Sequence, residues 1–201
     1  MNPTSPFLSQ CRPACALLLA LTVLCGGLYP LAVTGVARIA FRDQAAGSLV
    51  VDGGKVRGAR LIGQAFTAPR YVWGRPSATG PMPDNAAGSS GSNLGPTNPA
   101  LLDAIKTRIA ALRAADPDNR APIPADLVTA SASGLDPDVS PAAALYQAGR
   151  VARARGIDRG AVEALVRAHT EQPVLGFLGA ARVNVLLLNL DLDARYPAAA
   201  K

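Results

Sequence analysis

Past residue 25 this chain has no cysteine: Cys11, Cys15 and Cys25 all lie near its start. The rest of the chain therefore has no disulfide framework, and thiolate zinc sites and thiol nucleophiles are excluded from it. A part without thiols suits an oxidising compartment and the cytoplasm equally well. Histidine is nearly absent too. His169 is the only one and falls in the last turn of a predicted helix, where a cap or a cation matched to the helix dipole is its ordinary role. Carboxylates occur singly or as Asp-x-Asp pairs, Asp116 with Asp118, Asp136 with Asp138 and Asp191 with Asp193. A hard-cation site needs more oxygens converging than one such pair supplies, and the EF-hand pattern is missing, so no metal is expected. Walker-type loops, dinucleotide fingerprints and nucleophile elbows are missing as well, which leaves no catalytic constellation. Aromatic residues make up only 4% of the chain, and its net charge of +6 is spread with Arg and Asp interspersed. Without stacking aromatics or a basic block, nucleic acid is not an expected partner.

What the chain does have is an uncharged run of 25 residues, 13–37, rich in Leu, Val and Ala. About 20 apolar residues cross a hydrocarbon core of roughly 30 Å, whereas the core of a cleaved secretory signal needs only about 7 to 15. A retained membrane helix is therefore expected over residues 13–37. Gly26 and Gly27 interrupt the run, and Gly35-Val36-Ala37 has the small residues of a cleavage site, but apolar residues resume from Leu28 to Val33. Pro30 removes the helical hydrogen bond to the Gly26 carbonyl, which places a kink near Gly26. Ala16, Ala20, Gly27 and Thr34 recur at helical spacing, a shallow seam against which another helix can pack. Arg12 precedes the run and Arg38 and Arg42 follow it, so loop charge leans only slightly towards a cytoplasmic C-terminus.

About 160 residues remain, enough for one domain with its own core. The organisation expected is an N-terminal flank over 1–12, the span over 13–37 and a soluble domain over 38–201. Gly53-Gly54 separates two short strand patterns and reads as a hairpin turn. Residues 79–99 are crowded with Gly, Pro, Asn and Ser and read as a long loop, with docking on a partner as its expected use. Asn98-Pro99 opens a helix carrying Leu101, Ile105, Ile109 and Leu112, and Ser140-Pro141 opens a second that runs to about Arg155 before Gly156. Arg150, Arg153 and Arg155 at its end suit the negative helix terminus and, more weakly, an anion. Asp158 caps a third helix, with Ile157 and Val162 as a hydrophobic staple and Glu163 and Arg167 as an ion pair. In the last segment Leu186, Leu188, Leu190 and Leu192 alternate with Leu187, Asn189, Asp191 and Asp193, the period of a half-buried strand, with a helix as the alternative. Early strands, central helices and a final strand give a single N-terminal transmembrane helix followed by one α+β soluble domain.

Six blocks then occur in one order: Gly-Gly-Leu-Tyr-Pro at 26–30, Leu-Ile-Gly-Gln-x-Phe at 61–66, Gly-Arg-Pro-Ser-Ala at 74–78, Ser-Asn-Leu-Gly-Pro-Thr-Asn-Pro at 92–99, Asp-Leu-Val-Thr-Ala-Ser-Ala-Ser-Gly-Leu-Asp at 126–136 and Arg-Val-Asn-Val-Leu-x-Leu-Asn-Leu at 182–190. Together they resemble the C subunit of the potassium-transporting P-type ATPase, the Kdp complex, over nearly the whole chain. The resemblance implies a single-span subunit of the bacterial inner membrane, assembled with a channel-like potassium-binding subunit, a catalytic P-type ATPase subunit and a small stabilising peptide. The chain itself would catalyse nothing, and it lacks the Asp-Lys-Thr-Gly signature of the phosphorylated partner. The family is described as a catalytic chaperone that raises the ATP affinity of the catalytic subunit, and the glutamine of its Ala-Leu-Tyr-Gln stretch, here Gln147, is proposed to hold nucleotide. One amide makes few hydrogen bonds, so Arg150 and Arg153 would have to supply the charge for the phosphates. The resemblance also implies an extracytoplasmic domain, where ATP is scarce, so ATP belongs first to the catalytic subunit. Asp138, where many members look to carry His or Asn, and Ser90, in place of an expected Gly, are the departures from the pattern. Two other classes stand as alternatives: a signal-cleaved secreted solute-binding protein, and a membrane-tethered hydrolase using Ser131 or Ser133 with His169.

Overall fold

The structure, a computed structural model, describes residues 6–197. The first five residues of the expected flank and the last four of the expected domain lie outside that range. The chain divides into two compact units, one ending at Leu49 and one beginning at Val50.

The first unit is helical. Helix α1 (Pro6–Val23) passes into a π-helical turn at Leu24–Leu28 and then into α2 (Tyr29–Ala40), followed by the short α3 (Arg42–Ala45). The wide turn falls where Pro30 forces an adjustment. Proline cannot donate to the carbonyl four residues back, and the Tyr29 N–H bonds the Leu24 carbonyl five residues back, which widens the helix by one residue. The kink expected at Gly26 thus takes the form of a π turn that contains both Gly26 and Gly27. Ser9–Ala40 is the one stretch among the described residues long and apolar enough to cross a membrane, and none of its most apolar window is buried in the protein. The helix outruns the 13–37 apolar core at both ends. A Cβ at Gly26, Gly27 or Gly35 would meet nothing within 4 Å, so a neighbour has room to approach at each of them.

The second unit opens with a hairpin. Strands β1 (Leu49–Asp52) and β2 (Lys55–Ala59) are joined by Gly53 and Gly54, with φ of +56° and +75°. A two-residue hairpin of the primed type needs positive φ at both central positions, which explains the two glycines. A second sheet has strand order β3-β5-β4, formed by Asp138–Val139, Arg182–Asn184 and Thr170–Glu171. Both pairings are antiparallel, with Val183 opposite Val139 on one side and Thr170 on the other.

Helix α4 (Pro99–Ala115) starts at Asn98, whose Oδ1 accepts from the Ala100 N–H at 2.9 Å, and α5 (Pro141–Arg155) starts at Ser140, whose Oγ accepts from the Ala143 N–H at 3.1 Å. Gly156 ends α5 at φ +68°, the left-handed conformation of a glycine C-cap. Helix α6 (Arg159–Ala168) follows Asp158, which stands at the N-cap without a side-chain cap bond, so the expected cap is present in position only. Its Glu163 pairs with Arg167 as the spacing requires and also with Arg159, at 2.7 Å. Helices α5 and α6 pack together through Ala144, Ala148, Val151 and Ala152 on one side and Val162, Leu165 and Val166 on the other.

The final strand expected from the alternating leucines is a helix. β5 stops at Asn184, whose Oδ1 accepts from the Leu187 N–H at 3.1 Å and opens α7 (Val185–Arg195). The buried residues Val185, Leu186, Leu188, Asn189 and Leu192 follow the helical period, and leucine is a strong helix former with no branched Cβ to favour a strand. The domain is α+β all the same, with its core between α5, α6, α7 and the three-stranded sheet.

The irregular stretch is longer than expected, reaching from Arg60 to Asn98, and it is tied to its own domain. Ser90 N–H and Ser89 Oγ both donate to the Ser133 carbonyl at 3.0 Å, and Ser77 Oγ donates to the Gly134 carbonyl at 2.7 Å. A Cβ on Gly91 would stand 2.8 Å from the Ala132 carbonyl oxygen, which is backbone and cannot swing aside. Gly91→Ala should therefore destabilise the domain by about 1–3 kcal/mol, read as a lowered urea midpoint at unchanged slope; an unchanged midpoint would show that the contact between this loop and residues 131–135 does not stabilise the fold.

Candidate functional site

The centre of the domain is a clamp on five residues of irregular chain, 69–73. Its two jaws are buried amides on different helices. Asn189 of α7 accepts from the Val72 N–H at 2.8 Å and donates from Nδ2 to the Val72 carbonyl at 2.9 Å. Gln147 of α5 does the same one residue on, accepting from the Trp73 N–H at 2.9 Å and donating to the Trp73 carbonyl at 3.0 Å. Each amide presents the donor and acceptor that a neighbouring strand would offer, so the segment is held as a strand would be, with side chains in place of the missing ladder. Both amides are about 1% exposed and Val72 is fully buried.

Two arginines of α5 complete the clamp. Arg150 donates from Nη1 to the Pro69 and Tyr71 carbonyls at 2.6 and 3.1 Å and from Nη2 to Gln147 Oε1, while its guanidinium lies 3.9 Å from the Trp73 ring centre. Burial lowers Arg150 to about 10, which still leaves it charged at neutral pH. Arg155 donates to the Arg70, Leu192 and Tyr196 carbonyls and to Asp193 at 2.8 Å, and the Tyr71 hydroxyl donates to the same aspartate at 2.9 Å. The arginines expected to neutralise a helix end are thus bonded into the fold one by one.

The three residues read as nucleotide-binding candidates part company here. Gln147 and Arg150 meet within the clamp, whereas Arg153 turns the other way and pairs with Asp116, the buried residue that ends α4. Asn119 Nδ2 also bonds Asp116 and the Tyr146 carbonyl, fixing the α4 end against α5. His169 Nε2 lies 2.9 Å from Asp191 Oδ2, and Ser131 and Ser133 accept from the N–H groups of Gly134 and Leu135 in their own loop. The serines and the histidine of the hydrolase alternative therefore each have other partners. Among the described residues no group of three or more His, Cys, Asp or Glu side chains is placed to hold a metal ion.

Beside Trp73 opens a cavity of about 370 Å³ whose wall includes Phe66, Arg75, Asp84 and Arg108. Burial pushes the Asp84 carboxyl up and the Arg108 guanidinium down. Arg75 is held by Asp136 at 2.9 Å and by the Ala130 carbonyl, and its buried Nε has no partner. The cavity borders the clamp and shares Trp73 with it.

The sequence pattern does not single out Asn189, and it presents Asp116 only as half of an Asp-x-Asp pair. The alternating pattern sets Asn189 on the polar side of a strand, and only its place in a helix turns it inward. The signal available was one asparagine between Leu188 and Leu190 in a segment otherwise able to pack as core.

Asn189→Leu removes one jaw and leaves the Val72 N–H and carbonyl buried without partners. The expected loss is about 2–4 kcal/mol, measured by urea unfolding of the full chain in detergent, and a loss below about 1 kcal/mol would mean that water replaces the amide.

The comparisons with known proteins cover most of the chain. The family described as KdpC, K+-transporting ATPase, c chain, matches residues 11–194. Proteins named potassium-transporting ATPase KdpC subunit are 65% identical in Polaromonas naphthalenivorans, over 92% of this chain and 95% of the relative, and 57% identical in Herminiimonas arsenicoxydans, over 94% and 99%. A relative of the same name from Herpetosiphon aurantiacus is 59% identical over 90% of this chain and 94% of its own. A membrane-length helix, an α+β domain and the six ordered sequence blocks thus occur together with that likeness, and the chain belongs to the KdpC family, the c chains of the K+-transporting ATPase.

Proposed function

We propose that the chain is the non-catalytic accessory subunit of an ATP-driven potassium uptake complex. It sits in the bacterial inner membrane through Ser9–Ala40, carries its domain on the extracytoplasmic side, and assembles with a potassium-binding subunit, a catalytic P-type subunit and a small peptide subunit. Family membership and the membrane-length helix support the assembly. The observation that carries the non-catalytic reading is the full employment of Gln147, whose donor and acceptor are both bonded to Trp73.

For nucleotide to use that amide, Gln147 would have to leave Trp73 with two half-buried backbone groups unpaired, at up to about 1–3 kcal/mol each, in exchange for one contact worth about 1 kcal/mol. The exchange is unfavourable. Arg150 and Arg153 face the same competition, since their guanidinium groups already hold the Pro69 and Tyr71 carbonyls and Asp116. Any rise in ATP affinity that the subunit confers, as a catalytic chaperone would, is then transmitted through its contacts with partner subunits and needs no nucleotide of its own.

Gln147→Ala in the purified complex is expected to leave the Michaelis constant for ATP unchanged while lowering the yield of assembled protein or its potassium affinity. ATPase rate against ATP concentration decides the point, and a selective rise of roughly tenfold, about 1.4 kcal/mol, would assign the residue to nucleotide. Orientation is tested separately. Protease added to intact spheroplasts should cut the domain, whose mostly exposed 80–98 stretch is the target, and complete protection until the membrane is opened would place the domain in the cytoplasm.

A further inference from the structure

One exposed segment is used by neither the clamp nor the core. Between Glu171 of β4 and Arg182 of β5 lie ten uncharged residues, 172–181, and near their middle Val174, Leu175, Phe177 and Leu178 are 64%, 79%, 73% and 52% exposed. Four large apolar side chains on one turn are unusual on a water-facing surface. The turn also has a fixed shape. Val174 and Leu178 exchange backbone hydrogen bonds at 3.1 and 2.9 Å, the Gly176 N–H bonds the Pro173 carbonyl at 2.9 Å, and the Phe177 N–H bonds the Val174 carbonyl at 3.3 Å. Leu175 takes φ +55°, which costs a residue with a side chain about 1–2 kcal/mol, and Gly176 takes φ +79°.

We propose that this finger, residues 173–179, seats its apolar tip in the interfacial layer of the bilayer that holds the chain's own helix; this rests on the reading of Ser9–Ala40 as a membrane span. Three features favour lipid over a protein partner. The N–H groups of Val174, Gly176, Phe177 and Leu178 are satisfied within the turn, which lowers the cost of entering the bilayer interface. Four side chains fall well short of the roughly 800 Å² that each partner gives to a standard protein interface. The ten backbone steps from Ala40 to Val50 reach at most about 35 Å, a tether short enough to raise the effective concentration of the finger at the bilayer, so that even a weak insertion is favoured.

The test uses the full chain carrying Phe177→Trp in phosphatidylcholine–phosphatidylglycerol vesicles, with and without brominated acyl chains. The native chain, whose single tryptophan is Trp73, sets the background. The expected result is a blue-shifted emission from the introduced indole and quenching by brominated lipid at least about twofold stronger than the background, as for an indole at a membrane interface. Water-like, unquenched emission from chain that floats with the vesicles overturns the proposal and leaves the span reading intact. Chain that fails to float overturns the span reading and the proposal with it. A blue shift without bromine quenching that arises only when the other subunits are added assigns the finger to a protein partner instead.

Discussion

Everything central in the domain depends on satisfying the backbone of the 69–73 strip, which carries the fully buried Val72 into the core yet belongs to no sheet. A buried peptide group left without a partner costs about as much as the stability gained from several good contacts, so the segment can enter the core only if something supplies both a donor and an acceptor. Gln147 and Asn189 do this for successive residues from opposite helices, and Arg150 and Arg155 cover carbonyls further along. The clamp therefore does more than hold one loop. It joins α5 to α7 through a strip of chain, and the pairing of Arg153 with Asp116 then fastens α4 to the outer side of α5.

That arrangement accounts for the polar middle of the domain. Buried amides and guanidinium groups usually signal binding, because desolvated polar groups need partners. Here the partners are backbone carbonyls and N–H groups of the same chain, and little hydrogen-bonding capacity is left over. The cavity beside Trp73 is one exception, with an unpaired Arg75 Nε and a raised Asp84 at its wall, and the buried Tyr146 hydroxyl is another. The cavity adjoins the clamp, so a ligand there would bear on the Trp73 ring that Arg150 covers.

How much of this was legible beforehand can be traced residue by residue. The Gly53-Gly54 hairpin, the Asn98 and Ser140 caps, the Gly156 terminus and the Glu163–Arg167 pair are local devices, decided within four or five residues, and their signals stand in the sequence unaltered. The apolar helix was equally plain, since no tertiary contact was needed to recognise it. The run at 185–192 reads as a strand and folds as a helix because leucine at alternate positions, with further leucines between, fits either period, and local pattern does not arbitrate. The resemblance carried by the six blocks pointed to the right family, and it did so without saying why Gln147 is glutamine.

Sequence by itself determined the elements whose energetics are local: a span long enough for a bilayer, caps that satisfy helix ends, glycines where φ must be positive. Tertiary structure decided which polar residues face inward and what they meet. Asn189 and Val72 are separated by 117 residues, as Gln147 and Trp73 are by 74, and no short-range rule links them. Hydrogen bonds of that kind form only after the helices have packed and excluded water, because before then solvent satisfies the same groups equally well.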